Sequence, residues 1–328
     1  MPHAIRIHEH GGPEVLRWQE VDVGEPGPLE VRLRQTAIGV NFIDTYHRTG
    51  LYPLPSLPHG IGQEAAGVIE AVGDNVSGLG EGDRVTYAGA GGPGSYAETR
   101  VVPADRVVKL PDGIDDETAA AMMLKGMTVE YLVRRCFPVR EGQTVLWHAA
   151  AGGVGLLACQ WLKHLGATVL GTVGSDEKAE LARAHGCDHT IVYTREDFVS
   201  RVHEITGGAG VPVVYDSVGR ATFPQSLDCL QPRGLFVGFG NASGKPDPFD
   251  MGLLAHKGSL YVTRPTLFTY NATREELLQS AQALFEVVQS GVVKVEINQH
   301  WPLANAADCH RALESRETSG STVLTTDR

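Results

Sequence analysis

The stretch Leu146-Trp147-His148-Ala149-Ala150-Ala151-Gly152-Gly153-Val154-Gly155 decides the fold. It reads as a buried strand running into a glycine turn, after which Leu156-Leu157-Ala158-Cys159-Gln160-Trp161-Leu162 opens an apolar helix. Strand, tight turn and helix start are the parts of a dinucleotide-binding corner. The first N–H groups of a helix lack intrahelical acceptors and carry partial positive charge, so they can hold a pyrophosphate. The strict pattern is G-x-G-x-x-G, and Ala150 takes its first place ahead of Gly152 and Gly155. Such a turn is common by itself and becomes specific only inside a βαβ unit.

The chain on either side supplies that unit. Strand-like apolar runs at 143–147, 168–173, 189–193, 211–216 and 234–239 alternate with helical segments at 154–165, 176–185, 196–205 and 222–230. This is the rhythm of a doubly wound parallel sheet, and 260–263 reads as one more strand. Residues 1–34 differ. Short strands at 4–7, 15–18 and 30–34, punctuated by Gly11-Gly12-Pro13 and Gly24-Glu25-Pro26-Gly27-Pro28, are antiparallel in character. Glycine turns and strands continue to Val85 and suggest a small, irregular barrel. A capped helix starts at Asp115. The tail, with a helix from Thr273, strands at 294–301 and 322–325 and a helix between them, resembles the opening more than the middle. The expected organisation is a catalytic domain of 1–125 and 266–328 with a nucleotide-binding domain of 126–265 inserted in it.

Composition narrows the function. A net charge of −11 without any basic run argues against nucleic acid and anionic membrane surfaces as partners. Cys136, Cys159, Cys187, Cys229 and Cys309 are odd in number and widely spaced, which suits reduced buried thiols better than a disulfide framework or a four-cysteine zinc lobe. The N-terminus lacks an apolar signal region, and no run approaches the ~18 apolar residues of a membrane span. The expected location is the cytoplasm.

The strand after the glycine turn ends at Val173-Gly174-Ser175. An NAD site would place Asp or Glu there, about 20 residues beyond the glycines, to bind the ribose 2′-hydroxyl. No carboxylate stands at that end to repel a 2′-phosphate. Ser175 can donate a hydrogen bond and Lys178 can supply charge, which favours NADPH. Asp176 and Glu177 weigh against this, although both also suit the first turn of a helix.

Several blocks together resemble the quinone oxidoreductases, the zeta-crystallin-like branch of the medium-chain dehydrogenases/reductases. They are Gly142-Gln143, Leu146, Ala150 to Gly153, Gly155, Gln160 and Lys163, with Gly39 to Asp44, Gly62 to Gly67, Gly82 to Val85 and Tyr215 to Gly219. The resemblance runs essentially end to end. It implies an α/β chain with a Rossmann doubly wound sheet and a GroES-like, mainly β catalytic domain, and commonly a homodimer. It also implies cofactor contacts. Asn41, Phe42 and Tyr46 would line the nicotinamide side, and Thr128 would lie on the helix entering the cofactor domain. The turn Gly152, Gly153, Val154 and Gly155 would meet the pyrophosphate. Gly174, Ser175, Lys178 and Tyr193 would surround the adenosine phosphate. Ser217, Phe239, Gly240 and Asn241 would approach from later strands, and Val262, Thr263, Arg264 and Arg316 would close the site.

The chain departs from the zinc alcohol dehydrogenases of the wider superfamily, which carry cysteine where Asn41 stands and histidine where Gln63 stands. Neither amide is a good zinc ligand, so no metal is expected. The expected activity is zinc-free, NADPH-dependent reduction of a quinone or similar conjugated carbonyl. Candidate substrate-side residues are Asn41, Tyr46, Tyr52 and Lys125. Tyr46 and Tyr52 either orient a carbonyl or wall the site, and Asn41 either binds a ribose or substrate oxygen or makes a turn. Lys125 either offsets a developing anion or is a solvated lysine. His47 and His148 read as structural. The alternatives are an enoyl or alkenal double-bond reductase, with Tyr46 or Tyr52 as proton donor, and an NADPH-binding redox sensor without turnover.

Overall fold

The structure, a computed structural model, describes residues 1–326. The chain divides into two compact units. The first, the catalytic unit, comprises Met1–Met127, Asn271–Gln289 and the tail from Val295; the second, the nucleotide unit, comprises Thr128–Tyr270 and Ser290–Lys294.

The chain enters the catalytic unit through β1 (His3–Ile7), β2 (Arg17–Glu20) and β3 (Glu30–Val40), then α1 (Phe42–Thr49), β4 (His59–Gly60) and β5 (Glu64–Val72). Next come β6 (Arg84–Ala88), β7 (Thr99–Pro103), β8 (Val108–Lys109) and α2 (Asp116–Tyr131). The strand expected at 15–18 starts only at Arg17. Pro13 fixes its own φ and lacks an N–H, so Pro13–Val15 close into a 3₁₀ turn instead. The long β3 is the hub. Its first half pairs with β7, from Glu30 opposite Pro103 to Arg34 opposite Thr99, and nearly its whole length pairs with β5. Inward residues such as Val31, Leu33, Ile69, Val85 and Val102 are fully buried and alternate with more accessible neighbours, as a half-buried sheet requires. The α2 start is capped as expected: the Asp115 carboxylate accepts the Thr118 N–H at 2.7 Å.

The nucleotide unit alternates β9 (Thr144–Trp147), α3 (Gly153–His164), β10 (Thr168–Val173), α4 (Asp176–Ala184), β11 (His189–Val192), α5 (Phe198–Ile205), β12 (Val211–Asp216), β13 (Leu230–Gly238), α6 (Gly252–His256), β14 (Tyr261–Thr263) and α7 (Leu267–Tyr270). All six strands are parallel, in the order β11-β10-β9-β12-β13-β14. The winding direction reverses between β9 and β12, the position at which doubly wound sheets bind ligands. The helix expected over 222–230 is absent. Pro224 lacks a donor N–H and disfavours the α conformation at Phe223, so only the tighter 3₁₀ segment Gln225–Cys229 forms.

The tail adds α8 (Arg274–Gln289), β15 (Ile297–Pro302), α9 (Ala306–Glu314) and β16 (Ser321–Thr325). β16 pairs antiparallel with the second half of β3, and β15 runs parallel beside it. The tail therefore completes the sheet begun by the N-terminus, in the order β15-β16-β3-β5-β6-β8, while β2-β1-β4 form a separate small sheet. Among the described residues no helix is long and apolar enough to cross a membrane.

Candidate active site

In the nucleotide unit the decisive turn is built on a strained residue. Ala149 sits at φ 57°, a left-handed conformation that alanine rarely adopts. Backbone hydrogen bonds hold it there: the Ala150 N–H donates to Thr172 at 3.0 Å and the Gly152 N–H to Ala149 at 3.0 Å. His148, fully buried, bridges the Thr172 and Ser226 hydroxyls at 2.9 Å each, and burial pulls its pKa down. Its role is to brace the turn. A Cβ on Gly155 would lie 2.4 Å from the Ala149 carbonyl oxygen and 2.6 Å from the Ala150 carbonyl, so only glycine lets the helix close onto the turn. A Cβ on Gly152, the N-cap of α3, would meet nothing nearer than 3.4 Å. The helix start at Gly152, Gly153 and Val154 thus offers a crowded inner side and an open outer side, the shape a pyrophosphate needs.

The next strand end gathers Gly174, Ser175, Lys178 and Tyr193. Ser175 caps α4, its hydroxyl accepting the Lys178 N–H at 3.3 Å. Tyr193, 44 % exposed, places its hydroxyl where a Cβ on Gly174 would come within 2.9 Å. The acidic Asp176 is answered by Arg195, whose guanidinium grips it at 2.7 and 2.6 Å and holds its carboxyl below the usual range. Sequence reading missed Arg195. It stands in the loop after β11, and only the parallel pairing of β10 with β11 brings it back to α4.

The remaining nucleotide-unit candidates lie at or near strand ends, with Thr128 buried on α2. The Asp216 carboxylate accepts the N–H groups of Val218 and Gly219 at 2.6 and 3.0 Å and the Thr222 hydroxyl at 2.6 Å, fixing the turn that presents Ser217. The neighbouring turn folds against it: a Cβ on Gly240 would meet the Ser217 carbonyl at 2.5 Å, and Asn241 is buried. Phe239 packs on Trp147 at the end of β9, ring centres 5.4 Å apart. Val262 and Thr263 close β14, with the exposed Arg264 after them.

The catalytic-unit candidates cluster around α1. Asn41 is the N-cap of that helix, and its backbone N–H donates to the Asp44 carboxylate at 2.8 Å. Phe42, Tyr46 and Tyr52 form a run of rings, with centre separations of 5.9 and 5.1 Å. The Tyr52 N–H donates to the Tyr46 carbonyl at 3.0 Å, so the proline-rich loop folds back on the helix. Lys125 is buried rather than solvated, its ammonium 3.5 Å from the Glu64 carboxylate. Glu64, fully buried, also accepts the Asn41 side-chain N–H at 2.6 Å and the Leu124 backbone N–H at 2.8 Å. Burial raises its pKa, while Lys125 and the hydrogen bonds of Asn41 and Leu124 pull it back. Arg316 stands on the tail rather than on α1. It is exposed, in a left-handed turn after α9 at φ 63°.

Behind α1 runs a buried chain whose direction follows from its donors. Arg48 can only donate, so its contact at 2.9 Å makes Nδ1 of His310 the acceptor. Burial, reinforced by Arg48, lowers the pKa of His310 to about 3, leaving it neutral with its proton on Nε2. That nitrogen donates to Tyr96 at 3.1 Å, and the Tyr96 hydroxyl donates to Asp44 at 3.0 Å. Burial raises Asp44 to about 7 against the pull of these donors. Gln63 donates its amide to the imidazole of His47 at 3.0 Å; burial lowers the pKa of His47.

Comparison with known proteins agrees with both halves of this description. The family "Alcohol dehydrogenase GroES-like domain" matches residues 27–112, and "Zinc-binding dehydrogenase" matches residues 153–283. A quinone oxidoreductase of Pseudomonas aeruginosa is 54% identical over 324 residues, covering 99% of both chains. The chain belongs to the quinone oxidoreductases. The solved structure of Escherichia coli quinone oxidoreductase complexed with NADPH superimposes with a TM-score of 0.97 at 50% identity, covering 98% of this chain and 99% of that one. A 2-haloacrylate reductase from Burkholderia is 47% identical over 334 residues, covering 99% of both chains. The Rossmann and GroES-like fold read from the sequence is thereby established.

Proposed function

We propose that this chain reduces quinones with NADPH. The observation that carries the reading is the end-to-end similarity to quinone oxidoreductases, one of them solved with NADPH, together with a turn whose crowded and open sides suit a pyrophosphate. When bound, NADPH supplies hydride or electrons, and the protein contributes orientation and a partly dry surface. Gly152, Gly153, Val154 and Gly155 would hold the pyrophosphate. Ser175, Lys178, Tyr193 and Arg195 would hold the adenosine phosphate, Arg195 cancelling the charge of Asp176. Thr128, Ser217, Phe239, Gly240, Asn241, Val262, Thr263, Arg264 and Arg316 complete the proposed cofactor set. Asn41, Phe42, Tyr46, Tyr52 and Lys125 would face the nicotinamide and the acceptor, the rings giving a flat surface for a flat substrate. A quinone's reduced oxygens take protons readily from water, so no dedicated acid is required.

A second reading has support in the 2-haloacrylate reductase relative and in the paired Tyr46 and Tyr52, either of which could protonate an α-carbon. We further propose a cytoplasmic homodimer, since the edge strand β14 leaves Tyr261 62 % exposed and Val262 37 % exposed. The deciding assay measures NADPH oxidation with 1,4-benzoquinone, 9,10-phenanthrenequinone and a simple 2-alkenal, with zinc determined in the same sample. Preference for the quinones without stoichiometric zinc is expected; preference for the alkenal, abolished by Tyr46→Phe, would establish the second reading instead.

A further inference from the structure

We propose that Glu64 is the positioning residue of this site, fixing the orientation of the Asn41 amide so that its carbonyl oxygen is offered to a hydroxyl of the bound dinucleotide. The inference rests on the reading above that Asn41 belongs to the cofactor set.

Glu64 lies at the start of β5, opposite Gly39 in the antiparallel register with β3. Its seat is built for a carboxylate. A Cβ on Gly39 would come within 2.6 Å of Glu64 Oε2 and 2.0 Å of the Ala120 carbonyl oxygen, so glycine here makes room for the acid and for α2 together. Three donors converge on the two oxygens: Asn41 Nδ2 at 2.6 Å, the Leu124 N–H at 2.8 Å and Lys125 Nζ at 3.5 Å. Three donors, one of them an ammonium, call for the ionised acid, which only accepts. An acceptor at 2.6 Å fixes the flip of the amide, since only the NH₂ side of Asn41 can face it. The carbonyl side, which also accepts the Asp44 N–H in the capping box of α1, keeps its second lone pair to meet a ligand. A quinone oxygen accepts and cannot pair with it, whereas a ribose hydroxyl can donate to it. Glu64 thus selects one of the two uses open to Asn41, without touching the ligand. Lys125 closes the arrangement by balancing the buried charge, and Asp44, which takes the Asn41 backbone N–H, holds the same residue from its other end.

The test is NADPH affinity, measured by fluorescence titration of the protein without acceptor, in a double-mutant cycle. Asn41→Ala is expected to raise the Kd about tenfold. Glu64→Gln, whose own amide can face Asn41 either way, should raise it severalfold. The pair together should be no weaker than Asn41→Ala alone, because Glu64 acts through Asn41. Glu64→Asp keeps the charge for Lys125 but withdraws the oxygens from Asn41; it should behave like Glu64→Gln and serves if that variant does not fold. Asn41→Asp should lose affinity by opposing two carboxylates, and Glu64→Gln in that background should restore part of it. If Asn41→Ala weakens binding but both Glu64 variants bind normally, or if the effects add, the positioning role is overturned while the cofactor reading stands. If Asn41→Ala leaves the Kd unchanged, both fall.

Discussion

Asp44→Asn should stabilise the protein in a pH-dependent way. Asp44 is fully buried, and its Oδ2 accepts the Asn41 N–H and the Tyr96 hydroxyl, while Oδ1 has no hydrogen-bond partner among the described residues. Burial raises its pKa to about 7 from an ordinary 3.8, opposed by the Asn41 and Tyr96 donors and by Lys125 and reinforced by Glu64. The folded chain therefore keeps this proton more tightly than the unfolded chain does. The stability linked to it is fully present below pH 3.8 and is lost as pH rises through about 7. A displacement of roughly 3 units corresponds to a ceiling of ~4 kcal/mol, of which about 2–3 kcal/mol falls between pH 5 and pH 8. An asparagine in the same place offers one carbonyl oxygen to both donors and does not titrate. Urea unfolding at pH 5 and pH 8, followed through Trp18 and Trp301 with the nucleotide-unit Trp147 and Trp161 replaced by Phe in both proteins, reads the catalytic unit. The variant should gain on its parent by about 2 kcal/mol between the two pH values. A difference between variant and parent that does not change with pH would refute the reasoning, because it would mean that the carboxyl is ionised throughout.

Other outcomes follow from the same contacts. Lys178→Ala and Arg195→Ala should each raise the KM for NADPH about tenfold and leave that for NADH nearly unchanged, as charge partners of a 2′-phosphate do; equal effects on both cofactors in steady-state assays would remove them from that role. Gly155→Ala forces a Cβ against backbone oxygens at 2.4 and 2.6 Å, so NADPH binding by fluorescence titration should fall at least a hundredfold. Arg48→Met leaves the buried His310 without the donor to its Nδ1 and the half-exposed Glu314 without its bidentate partner; thermal unfolding should show a loss of about 2 kcal/mol, the scale for a buried acceptor left unsatisfied.

The parallel sheet was legible because each of its strands is a short apolar run beside a helix of opposite periodicity, a pattern local to about thirty residues. Proline marked where that reading fails, at Pro13 and Pro224, since one ring decides whether a turn tightens or a helix starts. The catalytic unit was harder because β3 pairs with β16, nearly three hundred positions away, and nothing near β3 announces that partner. The site divides the same way. Gly152, Gly155, Ser175 and Lys178 belong to one βαβα run and could be read in place. Glu64 lies within Gly62 to Gly67, and nothing local assigns it a role, because Asn41, Lys125 and Leu124 reach it only through sheet register and the packing of α2. Arg195 was hidden for the equivalent reason in the other unit. Sequence allows Lys125 either a role beside a developing anion or a solvated place, and its burial against Glu64 decides for the interior.

The positions where the wider superfamily keeps a zinc ligand each hold an amide here, and both amides are engaged as donors. Asn41 gives its N–H to Glu64 and Gln63 gives its own to the imidazole of His47. An amide nitrogen has no lone pair to lend a metal, and the imidazole nitrogen that has one is occupied by Gln63. The donor set is therefore arranged for hydrogen bonding. In the proposed site, what would polarise an acceptor is an ammonium balanced at Glu64 or a tyrosine hydroxyl. Such groups stabilise a developing oxyanion less than a divalent ion does. Acceptors that are already electron-poor, such as quinones and halogenated or carbonyl-conjugated alkenes, need the least of this help. Hydrogen-bonding amides at these two positions therefore predict a dependence on the acceptor itself: with NADPH supplied, turnover should track the acceptor's reduction potential across a quinone series.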